Sequence, residues 1–149
     1  MLNSYPNPWV FTNDDENLSS YDNKYKIEYC NLSEIAQGSP LGGKCYLKNE
    51  NHDTILLNDW CSGPIIWENK THKVALPIWR RKFLRGIIQQ IVIANLEYMT
   101  LTTYKNIFNV LHFESYEDNM IYAIDSPIYK MKPLKLNVSN LIIESVVQL

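Results

Sequence analysis

Polar and apolar positions along this chain change rhythm from segment to segment, and the changes mark out its elements. Lys24-Tyr25-Lys26-Ile27-Glu28-Tyr29-Cys30 alternates strictly, which predicts a strand with one face buried and one in solvent. Lys44 to Lys48 and Thr54 to Leu57 predict two more strands around the turn Asn49-Glu50-Asn51-His52-Asp53. Pro64 to Trp67, the turn Glu68-Asn69-Lys70-Thr71 and His72 to Trp79 read as a hairpin. Pro77 donates no ladder hydrogen bond, so an edge or a bulge is expected there.

Leu84 to Leu96 is ambiguous by period, because Leu84, Ile87, Ile88, Ile91, Val92 and Asn95 also fit helical spacing. Gly86 and the β-branched run Ile91-Val92-Ile93 decide for a strand. Met99 to Tyr104, Ile107 to Phe113, Met120 to Ile124, Leu134 to Val138 and Leu141 to Val147 continue the series. The fold class expected is therefore mainly β, an antiparallel sandwich or an incomplete propeller-like meander, in one domain over 1–149. Residues 1–23 form an extended N-terminal arm anchored by Trp9-Val10-Phe11, and residues 24–149 form the β body. Leu32 to Gln37 is expected to make one helical turn, Gly38 to Gly43 a loop, and Arg80-Arg81-Lys82 a basic turn.

Composition narrows the class. Apolar residues make up 46% and charged residues 20%, which suits a globular protein and not a disordered tail. No window reaches the ~20 apolar residues of a membrane span. The first residues lack the basic and apolar regions of a signal peptide, so a cytoplasmic location and no membrane partner are expected. Net charge is −2, which argues against direct nucleic-acid binding. The charge is uneven: acids exceed bases by ten to six from Met1 to Lys73, and bases exceed acids by eight to six thereafter.

Chemistry is sparse. Cys30, Cys45 and Cys61 lack C-x-x-C spacing, and His52, His72 and His112 stand alone, so no metal and no cofactor are expected. The cysteines read as small buried apolar residues. Four Asn-x-Ser/Thr matches are chance in so Asn-rich a chain. Phosphate-binding loops, dinucleotide fingerprints and nucleophile elbows are all missing. Glu114, Glu117 and Asp118 fall in a segment read as a hairpin turn, where exposed loop charge outweighs a hydrolytic carboxylate group, so the chain is not expected to be an enzyme. Trp67 and Trp79 occupy alternating apolar positions and belong to the core, while Trp60 is the most loop-like and the best candidate for an exposed aromatic.

Two segments are similar to degenerate propeller blades: Gly63 to Leu96, and Tyr98 through Met120 to Asp125. Each has a strand, a short turn and a further strand, but a closed propeller needs at least four blades of about forty residues. A stand-alone β-domain of this kind, rich in Asn, Lys and Ile, resembles the small immunity proteins of bacterial toxin systems, those of contact-dependent growth inhibition above all. The resemblance covers about Gly63 to Val138. It implies a cytosolic protein that binds and neutralises a cognate toxin domain, a basic nuclease being the natural target of its acidic clusters. The partner-binding residues expected are Asp14, Asp15, Glu16, Trp60, Glu114, Glu117 and Asp118. A carbohydrate- or ligand-binding β-sandwich module is the alternative.

Overall fold

A computed structural model describes residues 5–128 and 130–149. Eleven strands run in chain order: β1 (Tyr25–Glu34), β2 (Leu41–Asn49), β3 (Thr54–Cys61), β4 (Ile66–Trp67), β5 (Lys73–Lys82), β6 (Gly86–Asn95), β7 (Thr100–Tyr104), β8 (Leu111–Glu117), β9 (Met120–Asp125), β10 (Lys132–Asn137) and β11 (Ile143–Gln148). Short 3-10 turns at Glu16–Leu18 and Val138–Asn140 are the helical content of the described residues. All strand pairs are antiparallel. The large sheet has the order β1-β2-β3-β5-β6-β7-β11, with β4 paired to β5, and the small sheet has the order β10-β9-β8. The expected antiparallel β-architecture is what forms. Of the two blade-like segments, the first lies wholly in the large sheet, whereas the second is divided between the two sheets.

The β5–β6 hairpin is the centre of the molecule. Val74, Leu76, Ile78, Val92 and Ala94 face one apolar cluster, which the large sheet forms by curling β1 to β3 over them. Ala75, Ile91 and Ile93 face a second cluster, closed by Leu111, Phe113, Tyr116, Ile121 and Ala123 of the small sheet. Both faces of the hairpin are therefore buried, and a strand buried on both faces needs a continuous apolar run instead of alternation. That is why Leu84 to Leu96 carries no clean period of two.

Gln89 and Gln90 interrupt this run and are fully buried. Gln89 accepts from the Leu111 N–H at 2.6 Å, and Gln90 donates to the Tyr104 carbonyl at 2.7 Å. Pro77 is in an interior strand, not at an edge. Its carbonyl accepts from Ser62 N–H at 2.8 Å, so its missing donor faces the stretch where the neighbour of β5 changes from β4 to β3.

Four local expectations are corrected. Residues 32–34 belong to β1, because Asn31 takes a left-handed φ of 60° at a bulge and the strand resumes pairing at Ser33. Gly42 and Gly43 lie within β2. A Cβ on Gly43 would meet the Cys30 carbonyl at 2.7 Å, so the glycines serve close strand approach and not loop freedom. Arg80, Arg81 and Lys82 end β5, and the turn follows them. Arg80 donates to Glu144 of β11 and, at 2.9 Å, to Gln90; Arg80 holds the Glu144 carboxyl below its ordinary range. Cys45 and Cys61 are buried as expected, but Cys30 is exposed on the outer face of edge strand β1.

From Tyr5 onward the N-terminal arm is built into the body; its first four residues lie outside the described ones. Asn13 accepts from Tyr29 N–H at 2.7 Å and donates to the Tyr29 carbonyl at 2.8 Å. The Pro8 carbonyl accepts from Leu41 N–H at 3.0 Å. Phe11 and Leu18 are buried in the first cluster, Phe11 with its ring centroid 5.0 Å from that of Tyr29. Val10, by contrast, is half exposed.

Candidate functional site

Glu114 and Glu117 are three residues apart, and in a regular strand an odd spacing sends side chains to opposite faces. Here β8 has a bulge between Phe113 and Ser115, so Phe113 and Tyr116 both point inward. Glu114 and Glu117 are thereby both exposed. These glutamates are strand residues, not turn residues as expected. The turn is the two-residue link Asp118-Asn119, with φ of 50° and 63°, the left-handed pair of a type I′ hairpin.

A buried carboxylate fixes this hairpin end. Glu68, only 6% exposed, accepts from Asn119 N–H at 2.8 Å. The Tyr116 carbonyl accepts from Asn69 N–H at 2.9 Å, and the Asn69 side chain reaches Glu117 at 3.4 Å. Lys73 pairs with Glu68 at 3.8 Å, and Lys70 in the adjoining turn is exposed. Burial pushes the Tyr116 hydroxyl well above its usual range, and the Glu68 charge adds to the effect.

The arm brings the second acidic cluster to β4 from its other face: Leu18 packs in the first apolar cluster, whereas Phe113 and Tyr116 of β8 pack in the second. Both the 3-10 turn containing Glu16 and strand β8 pack against β4. Asp15 accepts from the Tyr5 hydroxyl and, at 2.9 Å, from Thr12 N–H. Half-buried His112 stands two residues before Glu114 on β8. Burial holds the His112 pKa below its ordinary value, against the opposing pull of the Glu114 charge and the Pro6 carbonyl. The arm, tied at Asp15 to Tyr5 and Thr12, carries this second cluster. Asp14 and Glu16 are exposed on it, while Asp15 is partly turned inward as a ligand of the arm.

Trp60 does not join them. It is half-buried in β3, not in a loop, 6.3 Å from the Trp79 ring and against Gly42. A groove of about 630 Å3, lined by Trp9, Val10, Pro40, Val110, Ser126 and Ile128 among others, was not legible in the sequence. Asp125, 8% exposed, shapes its wall by accepting from Asn109 and Val110 N–H, each at 3.0 Å. Its position just before Ser126-Pro127 was the available signal, since a carboxylate there readily collects turn N–H groups.

Among the described residues no group of three or more His, Cys, Asp or Glu side chains gathers as a metal site, and no helix is long and apolar enough to cross a membrane. No family model, curated protein or solved structure matches the chain.

Proposed function

We propose that this chain is a non-catalytic binding protein that neutralises a cognate bacterial toxin domain in the cytoplasm by covering a basic surface, as a nuclease would offer. The observation that carries the reading is the exposure of Asp14, Glu16, Glu114, Glu117 and Asp118 on or beside two elements that both pack against β4. Charge of one sign on a fixed face steers an oppositely charged partner and mainly raises the association rate. Buried anchors would then set the residence time.

The test co-expresses this chain with the toxin domain encoded beside it and asks whether cells survive and the two co-purify. A Glu114→Gln, Glu117→Gln, Asp118→Asn variant removes charge while keeping a residue that tolerates the turn. It is expected to associate more slowly, with the difference shrinking as salt is raised. Neither survival nor a complex with the unaltered chain would overturn the reading.

A second reading, a ligand-binding β-sandwich module, is favoured by the groove at Trp9 and Val110. Titrating simple sugars while following tryptophan fluorescence checks it, with Trp9→Ala expected to abolish any response.

A further inference from the structure

The β5–β6 turn carries the two most exposed large apolar side chains of the described residues, Phe83 at 91% and Leu84 at 89%. The turn closes with Arg85 N–H donating to the Lys82 carbonyl at 3.0 Å, so Phe83 and Leu84 are its two central residues. Leu84 has a φ of 64°, at a position that suits Gly or Asn and disfavours a bulky side chain. Neither burial nor turn geometry accounts for a leucine there. A bulky apolar pair standing in water, one member of it against backbone preference, points to something outside the fold.

Cations flank the apolar pair on both sides. Arg81 and Arg85 are exposed, and Lys82 is partly so, its ammonium 3.9 Å from Glu144. Glu144 is the acid paired at this end of the hairpin, and it is shared with Arg80. The tip is convex, two apolar side chains standing beyond a basic collar. A protein partner would have to supply a matching acidic pocket, whereas a fluid anionic interface opens around such a tip wherever it lands.

The acidic face does not oppose this contact. Glu68 and Glu117 lie at the Lys73 end of β5, and the tip lies beyond Lys82 at the other end. Ten strand residues at ~3.3 Å each separate them by roughly 30 Å. That is about three Debye lengths at ~0.1 M salt, so the carboxylates are screened from the tip.

We propose that the β5–β6 tip docks this protein on an anionic lipid bilayer, with Phe83 and Leu84 entering the headgroup boundary and Arg81, Lys82 and Arg85 meeting lipid phosphates. The inference stands independently of the toxin reading. It leaves the acidic face directed away from the membrane.

The experiment sediments the full chain with phosphatidylcholine vesicles, with and without about a third phosphatidylglycerol. Binding is expected to the anionic vesicles only, weakening as salt rises. Phe83→Ser with Leu84→Asn should lower the partition coefficient by on the order of tenfold or more, with thermal stability unchanged or slightly raised, because both side chains are already in water and Asn suits the left-handed backbone at position 84. Arg81→Glu with Arg85→Glu should lower it by at least ~5-fold per cation. The proposal is overturned if the unaltered chain ignores the anionic vesicles, which would leave the tip as a hook for an acidic protein. It is equally overturned if the Phe83 and Leu84 variant binds as well as the unaltered chain, since adhesion would then be charge alone.

Discussion

Phe11→Ala tests whether the N-terminal arm belongs to the same cooperative structure as the sheets. The Phe11 ring is 3% exposed, tilted 55° to Tyr29, and packed so closely on Gly63 that a Cβ there would stand 3.0 Å from two ring carbons. Truncating a buried phenylalanine costs ~3–5 kcal/mol, of which the cavity left behind is a large part. The arm is also held by Asn13, Pro8 and Leu18, so simple detachment does not offer a cheaper escape. We therefore place the loss at ~3–4 kcal/mol in global unfolding, toward the lower end because the arm can settle partly into the gap. For a chain of this size that lowers Tm by about 10 °C. Urea unfolding followed by tryptophan fluorescence, together with calorimetry, measures it. Phe11→Leu is the control and should lose only ~1 kcal/mol. A Tm within ~2 °C of the unaltered chain would show that the arm melts separately. The acidic residues it carries would then not be fixed against β4, and the shared anchoring of the two acidic clusters would fail with it.

Other outcomes follow from single sites. Gly43→Ala should destabilise by ~1–3 kcal/mol in urea titrations, because the Cβ meets a backbone carbonyl in the paired strand and not a movable side chain. Asn119→Ala should cost ~1 kcal/mol through its left-handed backbone, while Asp118→Gly at the adjacent turn position should be neutral or slightly stabilising. Burial raises the Asp22 pKa, but bonds from His72, Ser20 and the Lys24 N–H outweigh it and hold the value to about 2. A depressed carboxyl pKa stabilises the fold above its unfolded value, so this contribution should fade as pH falls from ~4 toward 2. Stability measured across that window should fall less steeply in Asp22→Asn, and an identical slope would refute the assignment.

What was legible in the sequence was whatever depends on near neighbours. The alternation at Tyr25 to Cys30, the hairpin over Ile66 to Trp79 and the strand at Met120 to Ile124 each follow from a local pattern. What was hidden depends on residues far along the chain. Gly42 and Gly43 looked like loop glycines because Cys30, Trp60 and Trp79, which crowd them, are not adjacent in sequence. Arg80 looked like a turn cation because its partner Glu144 lies 64 residues away. The candidate site was half visible. Its carboxylates could be named, but a bulge of one residue decides that Glu114 and Glu117 face the same way, and packing on β4 decides that the arm and β8 share a neighbour. The buried Glu68 that pins the β8–β9 turn was missed, since burial cannot be read from Trp-Glu-Asn-Lys.

The burial of β5 and β6 on both faces also constrains the order of assembly. A hairpin of adjacent strands can close in ~1–10 μs, long before distant strands arrive. Its two coverings come from opposite ends of the chain: β1 to β3 precede it, and β8 to β10 follow. During synthesis the Val74, Leu76 and Val92 side can be covered as soon as the hairpin emerges. The Ala75, Ile91 and Ile93 side must wait until residues beyond Leu111 have been made. That interval leaves a flat apolar sheet face open to other nascent chains, and slower translation or truncation after β7 would lengthen it.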